Sequence, residues 1–278
     1  MSVSISEMID GANPQATMPT YYLAHGGGPC FFMDWPGDPH AWDGLASFLR
    51  GLRSTLPARP TAIVVVSAHW EARHPTVTAA SAPELIYDCS GFPAHTYQLR
   101  YDAPGSPAVA ARVQALLGAA GIESAADGRR GFDHGVFVPF KLIEPEAAVP
   151  IVQLSLVRGL DPAQHLAIGH ALAPLRSEGV LIAGSGMSYH NMRAMMVGEY
   201  MGGEAFDAWL GETVASDAAA RDARLAHWEN APEARHVHPR EDHLLPLMVV
   251  AGAAGDDRGM TVFQERLLGA PTSAYRFG

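Results

Sequence analysis

Residues 61–67, Thr-Ala-Ile-Val-Val-Val-Ser, form an unbroken and mostly β-branched run. Such side chains are stiff at χ1 and suit a pleated surface. A run lacking the polar/apolar alternation of a half-exposed strand is the pattern of a strand covered on both faces. The chain must therefore supply a layer on each side of a sheet. Further strands are predicted at Tyr21–Ala24, Val149–Leu156 and Val180–Ala183, the last breaking at Gly184-Ser185-Gly186. Helical spacing recurs between them. Trp42, Leu45, Phe48, Leu49 and Leu52 place a helix over 40–56. Helices are also predicted over 107–119, opened by Pro107, and over 161–176, with Asp161-Pro162 as cap and first turn. A long helical stretch covers 204–227, and another helix covers 243–252 with Pro246 in its first turn. This order predicts the α/β class: a single domain with a central mixed or mostly parallel sheet flanked by helices. Residues 1–17 are polar and without period, and read as a loose leader to a domain spanning 18–278.

Composition narrows the function. At 48% hydrophobic against 17% charged, the 278 residues have material for a large core and are not a disordered chain. A formal charge of −10 argues against a nucleic-acid partner, which needs a dense Lys/Arg surface. Cys30 and Cys89 are the only cysteines, too few for a disulfide framework and too far apart for a CxxC site. The N-terminus has no basic, then apolar, signal pattern, and no apolar run approaches the roughly 18 residues of a membrane span. The expectation is a cytoplasmic protein with neither a nucleic-acid nor a membrane partner.

The unusual count is 13 histidines. His25 and His69 stand just past predicted strand ends, and His190 follows a third after a short loop. In α/β sheets, ligands bind outside the carboxyl ends of the strands. One such histidine is ordinary; three from separate strands suggest convergence. Gly131-Phe132-Asp133-His134-Gly135 reads as a turn carrying an Asp-His pair. Residues 236–243 hold His236, His238 and His243 with Glu241 and Asp242, and run from a polar loop into the apolar Leu244-Leu245-Pro246-Leu247. Met187, Met195 and Met196 read as packing residues. His25-Gly26-Gly27-Gly28 could serve an esterase oxyanion hole, but no serine has the flanking glycines of a nucleophile elbow. Gly184-Ser185-Gly186 fails as a dinucleotide fingerprint because Tyr189 occupies the third glycine position. HExxH is absent too. Spacing alone supports a histidine-rich site at a sheet edge, suited to a metal.

Taken in order, His25-Gly-Gly-Gly-Pro29, Ser67-Ala-His69-Trp70, Gly91-Phe-Pro93, Tyr101-x-Ala-Pro-Gly-Ser-Pro107, Gly131-Phe-Asp-His134-Gly135, Pro150-x-x-Gln153-Leu-Ser155 and Asp242-His243-x-x-Pro-Leu247 resemble the DOPA-dioxygenase-like branch of the class III extradiol ring-cleaving dioxygenases. The resemblance covers about residues 18–270. It implies a mononuclear non-heme metal, with His25, His69 and His243 matching its ligands, and Glu241 or Asp242 as the carboxylate alternative to His243. His190 matches the acid/base residue and His134 a second pocket histidine, the two forming the catalytic set. The implied reaction is extradiol cleavage of a catechol by O2 to a muconic semialdehyde-type product. Fe(II) is the expected metal, and Zn(II) the ion that a site of three histidines captures on purification. The implied partners are the small-molecule catechol and O2, in a monomer or small homo-oligomer. Trp70, Phe92, Tyr189 and His95 are candidates for the pocket wall. Two other classes use the same histidines: a zinc-dependent hydrolase, and a binding protein that has lost its metal.

Overall fold

The computed structural model of the chain describes residues 16–197 and 202–278. In chain order the elements are β1 (Thr20–Ala24), α1 (Asp43–Leu52), β2 (Ala62–Ala72), β3 (Thr76–Thr78), α2 (Pro107–Ala119), β4 (Ala125–Asp127), α3 (His134–Ile143), β5 (Ile151–Val157), α4 (Pro162–Leu172), β6 (Val180–Gly186), α5 (Met192–Val197), α6 (Glu204–Ala215), α7 (Ala218–Ala226), α8 (Ala234–Val237), α9 (Leu245–Ala254), β7 (Gly259–Leu267) and β8 (Ala270–Phe277). The strands join into a single eight-stranded sheet in the order β4-β3-β5-β2-β6-β1-β8-β7. Its centre, β5-β2-β6-β1, is parallel. Antiparallel pairing appears where β3 meets β5, where β8 meets β1 and in the β7-β8 hairpin. The sheet is thus mixed, with a parallel core, and helices lie on both faces.

The β-branched run of β2 is fully buried because each face meets its own core. Val64 and Val66 join Val152, Leu154, Ile182 and the wholly buried α9 on one side. Ile63 and Val65 join Leu181, Ala183, Leu45 and Phe137 on the other. Caps follow the sequence: the Asp161 side chain accepts from the Ala163 and Gln164 amides, and Ser106 Oγ accepts from Val109 N–H ahead of Pro107.

Several boundaries differ from the sequence reading. β2 runs on to Ala72 through a register shift between Val66 and Glu71, so His69 lies within the strand and not beyond it. β6 passes through Gly184-Ser185-Gly186 instead of breaking there. Residues 204–227 form two helices, because Asp217 caps α7 by accepting from Ala220 N–H and so ends the run. His134 opens helix α3 and does not sit in a free turn. The expected leader falls outside the described residues as far as residue 15; Ala16 and Thr17 are exposed, and burial begins at Met18. Among the described residues no helix is long and apolar enough to cross a membrane.

Candidate metal centre

Parallel pairing brings the carboxyl ends of β1, β2 and β6 to one edge of the sheet, with Ala24 opposite Gly186 and Ser67 opposite Ser185. His25 follows β1 directly, and its amide continues the ladder by donating to Gly186 O at 3.1 Å. His69 projects from the irregular end of β2. His134 stands at the first turn of α3, whose Gly135 packs so tightly on β2 that a Cβ there would lie 2.6 Å from Ser67 Oγ and 3.0 Å from the His69 ring. His243 lies in the turn before α9. That turn rests on β6: a Cβ at Gly186 would meet the His243 carbonyl oxygen at 2.1 Å. The same carbonyl accepts from Tyr22 Oη at 2.7 Å and from Met187 N–H at 3.2 Å. Glycine at 186 is therefore a requirement of close approach. His190 occupies the loop after β6, held by its amide on Val237 O.

All five site histidines named from the sequence converge. The ring centres of His25, His69 and His243 are 4.8, 4.9 and 5.2 Å apart, close to an equilateral triangle. His134 lies 3.9 Å from His69 and 5.5 Å from His25. His190 stacks on His243 at 3.3 Å and 14°. Ligating atoms fall into two neighbouring groups, each within 4.8 Å: His25, His69 and His134, and His190, Asp242 and His243. Glu241, by contrast, is engaged by Arg235 at 2.6 Å.

Hydrogen bonding sets the tautomers. Ser185 Oγ donates its proton to Gly135 O, so it can only accept from His25 Nδ1–H at 3.0 Å. His25 Nε2 is then bare, and it faces His69 Nε2 at 3.1 Å. Asp88 accepts at one oxygen from both His134 Nδ1–H (2.8 Å) and His134 N–H (3.0 Å), and its other oxygen lies 3.9 Å from His69 Nδ1. Behind His69, Ser67 Oγ accepts from the His69 amide and donates to Asp133, which Arg130 pairs at 3.0 Å. His243 Nδ1 is buried 3.1 Å from an Asp242 oxygen, but without the alignment of a hydrogen bond.

Charge follows burial. Desolvation, reinforced by the surrounding imidazoles, holds His25 and His243 well below the ordinary histidine value. His69 is pushed down to about 3 by burial and His134, against the pull of Asp88. Burial also lowers His190, with Asp242 opposing. For Asp88 burial acts upward, but the hydrogen bonds and charge of His134 prevail and hold it at about 2. His25, His69, His190 and His243 are thus held toward the neutral form, the ligating form of imidazole. Two facing Nε2 atoms, one without a proton, are what a shared cation would satisfy, and the unpaired His243 Nδ1 lies beside them in the neighbouring group with His190 and Asp242. The donor set fits a metal ion.

The histidines floor a cavity of about 710 Å3. Phe92 and Tyr189 line it as expected. Met187 and Met195, read as packing residues, line it too, while Met196 lies outside the described side chains. Trp70 and His95 do not line it. Trp70, next to His69 on β2, lies under the Arg130 guanidinium, and exposed His95 bonds to Phe32 O. Sequence reasoning missed Asp88 and Ser185. Asp88 carries no motif; Ser185 lay in a segment read only for the glycines around it. A second cleft, of about 490 Å3 and lined by Ser81–Leu85 and Leu99–Pro104, has no histidine.

An α/β sheet with a histidine cluster fit for a metal at its carboxyl edge is the architecture of a candidate metalloenzyme. Residues 19–278 match the family described as the catalytic LigB subunit of aromatic ring-opening dioxygenase, and the chain belongs to that family. Similar proteins include 4,5-DOPA dioxygenase extradiol of Beta vulgaris, 43% identical over 72% of this chain and 75% of that one. The protein of the same name in Escherichia coli K12 is 34% identical over 88% of each chain. Dioxygenase tasH of Hapsidospora irregularis is 37% identical over 94% of this chain and 85% of that one. The crystal structure of an uncharacterised Escherichia coli K12 protein superposes with a TM-score of 0.72 at 29% identity, covering 94% of this chain and all of that one.

Proposed function

We propose that this chain cleaves a catechol ring by extradiol dioxygenation, at one metal ion held by His25, His69 and His243. The observation that carries the reading is the facing pair of His25 and His69 nitrogens, 3.1 Å apart, with the His243 ring centre 5.2 and 4.9 Å from the centres of those two rings. Three neutral ligands on one side leave the other side for a chelating diol and O2. We assign Fe(II) to the active enzyme and Zn(II) to the adventitious competitor, since three imidazoles suit zinc as well. When bound, the metal supplies the Lewis acidity and electron transfer that bring O2 and the ring to reaction.

The protein does the rest. His190, kept neutral by burial, accepts a proton from a catechol hydroxyl as the diol binds, and returns it as the ring opens. Its stack on His243 sets it beside the ligand sphere without drawing it in. Asp88 fixes the His134 tautomer, turning Nε2 toward the cavity, where it accepts a hydrogen bond from substrate or carries the second proton. Trp35, Trp42 and Phe92 exclude water. Both atoms of O2 enter the product, a muconic semialdehyde, so no other reductant is needed. Catechol and O2 are the partners we assign, with action in the cytoplasm as a monomer or small homo-oligomer.

One observation favours a different third ligand: the ligating atoms of His134 lie within 4.8 Å of those of His25 and His69. Metal analysis of folded His243→Ala and His134→Ala separates the two sets. Our assignment expects His243→Ala to lose stoichiometric iron and His134→Ala to keep it; the reverse installs His134. Oxygen uptake with catechol after anaerobic Fe(II) loading, against Zn(II) loading, separates the oxygenase from a zinc hydrolase.

A further inference from the structure

The cavity reaches well beyond its histidine floor. At about 710 Å3 it is of a size that accepts drug-like ligands, far more than one aromatic ring requires. Its upper wall is Trp35, Trp42, Phe92, Met192, Met195 and Leu268. Among the described residues no Arg, Lys, Asp or Glu lines it. The nearby arginines are committed elsewhere. Arg240 pairs with Glu71 at 2.6 Å and Asp242 at 3.3 Å, and Arg130 with Asp133 at 3.0 Å. Arg193, next to Met192 on α5, is exposed and outside the lining.

A second, independent observation points the same way. Leu268 and Gly269 are the two central residues of the β7-β8 hairpin, between the paired Leu267 and Ala270. Their φ angles are 51° and 87°. Both positions of such a turn demand positive φ, and the first ordinarily takes Asn, Asp or Gly. Leucine is strained there. The strained residue puts an apolar side chain on the cavity wall where a relaxed turn would put a polar one.

We propose that the cavity selects a catechol bearing an uncharged, apolar substituent, with Leu268 as a specificity-determining residue of its wall. The inference rests on the catechol reading above and names which catechols that site takes. Among the described residues an ionic substituent would meet no charged partner on the cavity wall, and it would lose its hydration. An alkyl substituent gains with each methylene removed from water, roughly fourfold in affinity per group.

Binding tests this apart from turnover. Calorimetric titration of the metal-loaded protein, without O2, would compare catechol, 4-methylcatechol, 4-butylcatechol, L-DOPA and 3,4-dihydroxyphenylpropionate. Affinity should climb from catechol to 4-butylcatechol, and 4-butylcatechol should bind at least 30-fold more tightly than either ionic ligand. A flat alkyl series, or an ionic catechol bound as tightly as 4-butylcatechol, overturns the proposal. So does tight binding of 3,4-dihydroxyphenylpropionate that Arg193→Ala abolishes. Leu268→Asn supplies the structural arm. It should raise the melting temperature by relaxing the turn, weaken 4-butylcatechol five- to tenfold and leave catechol unchanged. Equal weakening of both ligands, or of neither, removes Leu268 from the specificity role. Tight 4-butylcatechol binding with no oxygen uptake would uphold the ligand class and refute ring cleavage instead.

Discussion

Replacing Gly186 with Ala tests how His243 is held. The new Cβ would stand 2.1 Å from the His243 carbonyl oxygen, 3.1 Å from its carbon and 3.2 Å from the Tyr22 ring, where ordinary contact begins at 3.4 Å. The turn must lift by roughly 1.3 Å, because both partners are backbone in a close-packed interior. Lifting it strains the bonds from Tyr22 Oη and Met187 N–H, about 1 kcal/mol each. Overpacking adds about 1–3 kcal/mol, so the expected loss is about 3–5 kcal/mol. If His243 is a ligand, its displacement should also weaken metal binding about 10- to 100-fold, as for other groups that orient a ligand. Urea unfolding gives the first quantity and calorimetric metal titration of the folded protein the second. Gly118→Ala is the control: it lies on the exposed side of α2 with no atom within 4 Å of the added Cβ. It should leave metal binding unchanged and gain up to about 1 kcal/mol. A Gly186→Ala protein that is destabilised but binds metal with wild-type affinity would refute the assignment of His243.

His190→Ala should retain metal and lose about 10²–10⁴ in kcat, with His190→Gln almost as poor; activity recovered by Gln would leave His190 only an orienting role. Asp242→Asn should keep full metal occupancy, because the carboxylate is not in the proposed ligand set; loss of iron would install Asp242 in place of His243. Asp88→Ala, which removes the acceptor shared by His134 Nδ1–H and N–H, should lower activity about 10- to 100-fold with metal retained, as measured by oxygen uptake. His238 is buried, its Nε2–H donating to Ser188 O, and burial lowers it to about 3. The unfolded chain takes up that proton near pH 6.5 and the native protein only near 3, so stability falls as pH drops below 6.5. At pH 5 this one group costs about 2 kcal/mol. His238→Gln keeps a donor for Ser188 O and should remove that part of the slope between pH 7.5 and 5; an unchanged slope in urea unfolding would contradict it.

The sequence shows the parallel core plainly because buried central strands need unbroken apolar runs, and β2, β5 and β6 have them. It shows His25, His69 and His190 because parallel pairing turns separate strand ends into one edge, whereas His134 and His243, at the start of α3 and in the turn before α9, are marked only by motifs that resemble a family. Other parts answer to tertiary contacts that no local pattern carries. Gly184 and Gly186 look like breakers, yet they stay in the strand so that the turn before α9 can lie on it. β7 and β8 escaped notice because β7 is an edge strand with mostly polar residues outward and β8 buries Thr272 and Ser273. Helix α3 was masked by Pro139 and by a start that reads as a turn. Trp70 adjoins His69 in the sequence, yet it lies under Arg130 and not on the cavity, because sequence adjacency does not carry a shared orientation. Asp88 reaches His134 across 46 positions from an irregular segment, and nothing nearby in sequence marks it.

The most direct test of ring cleavage is the fate of labelled oxygen. The Fe(II)-loaded protein would be given 4-butylcatechol under 18O2, with uptake followed by electrode and the product by mass spectrometry. The account predicts one O2 consumed per catechol and 18O in the new carboxylate of a ring-opened semialdehyde. An intact ring, or a product formed without O2 uptake and with its new oxygen drawn from water, would contradict it.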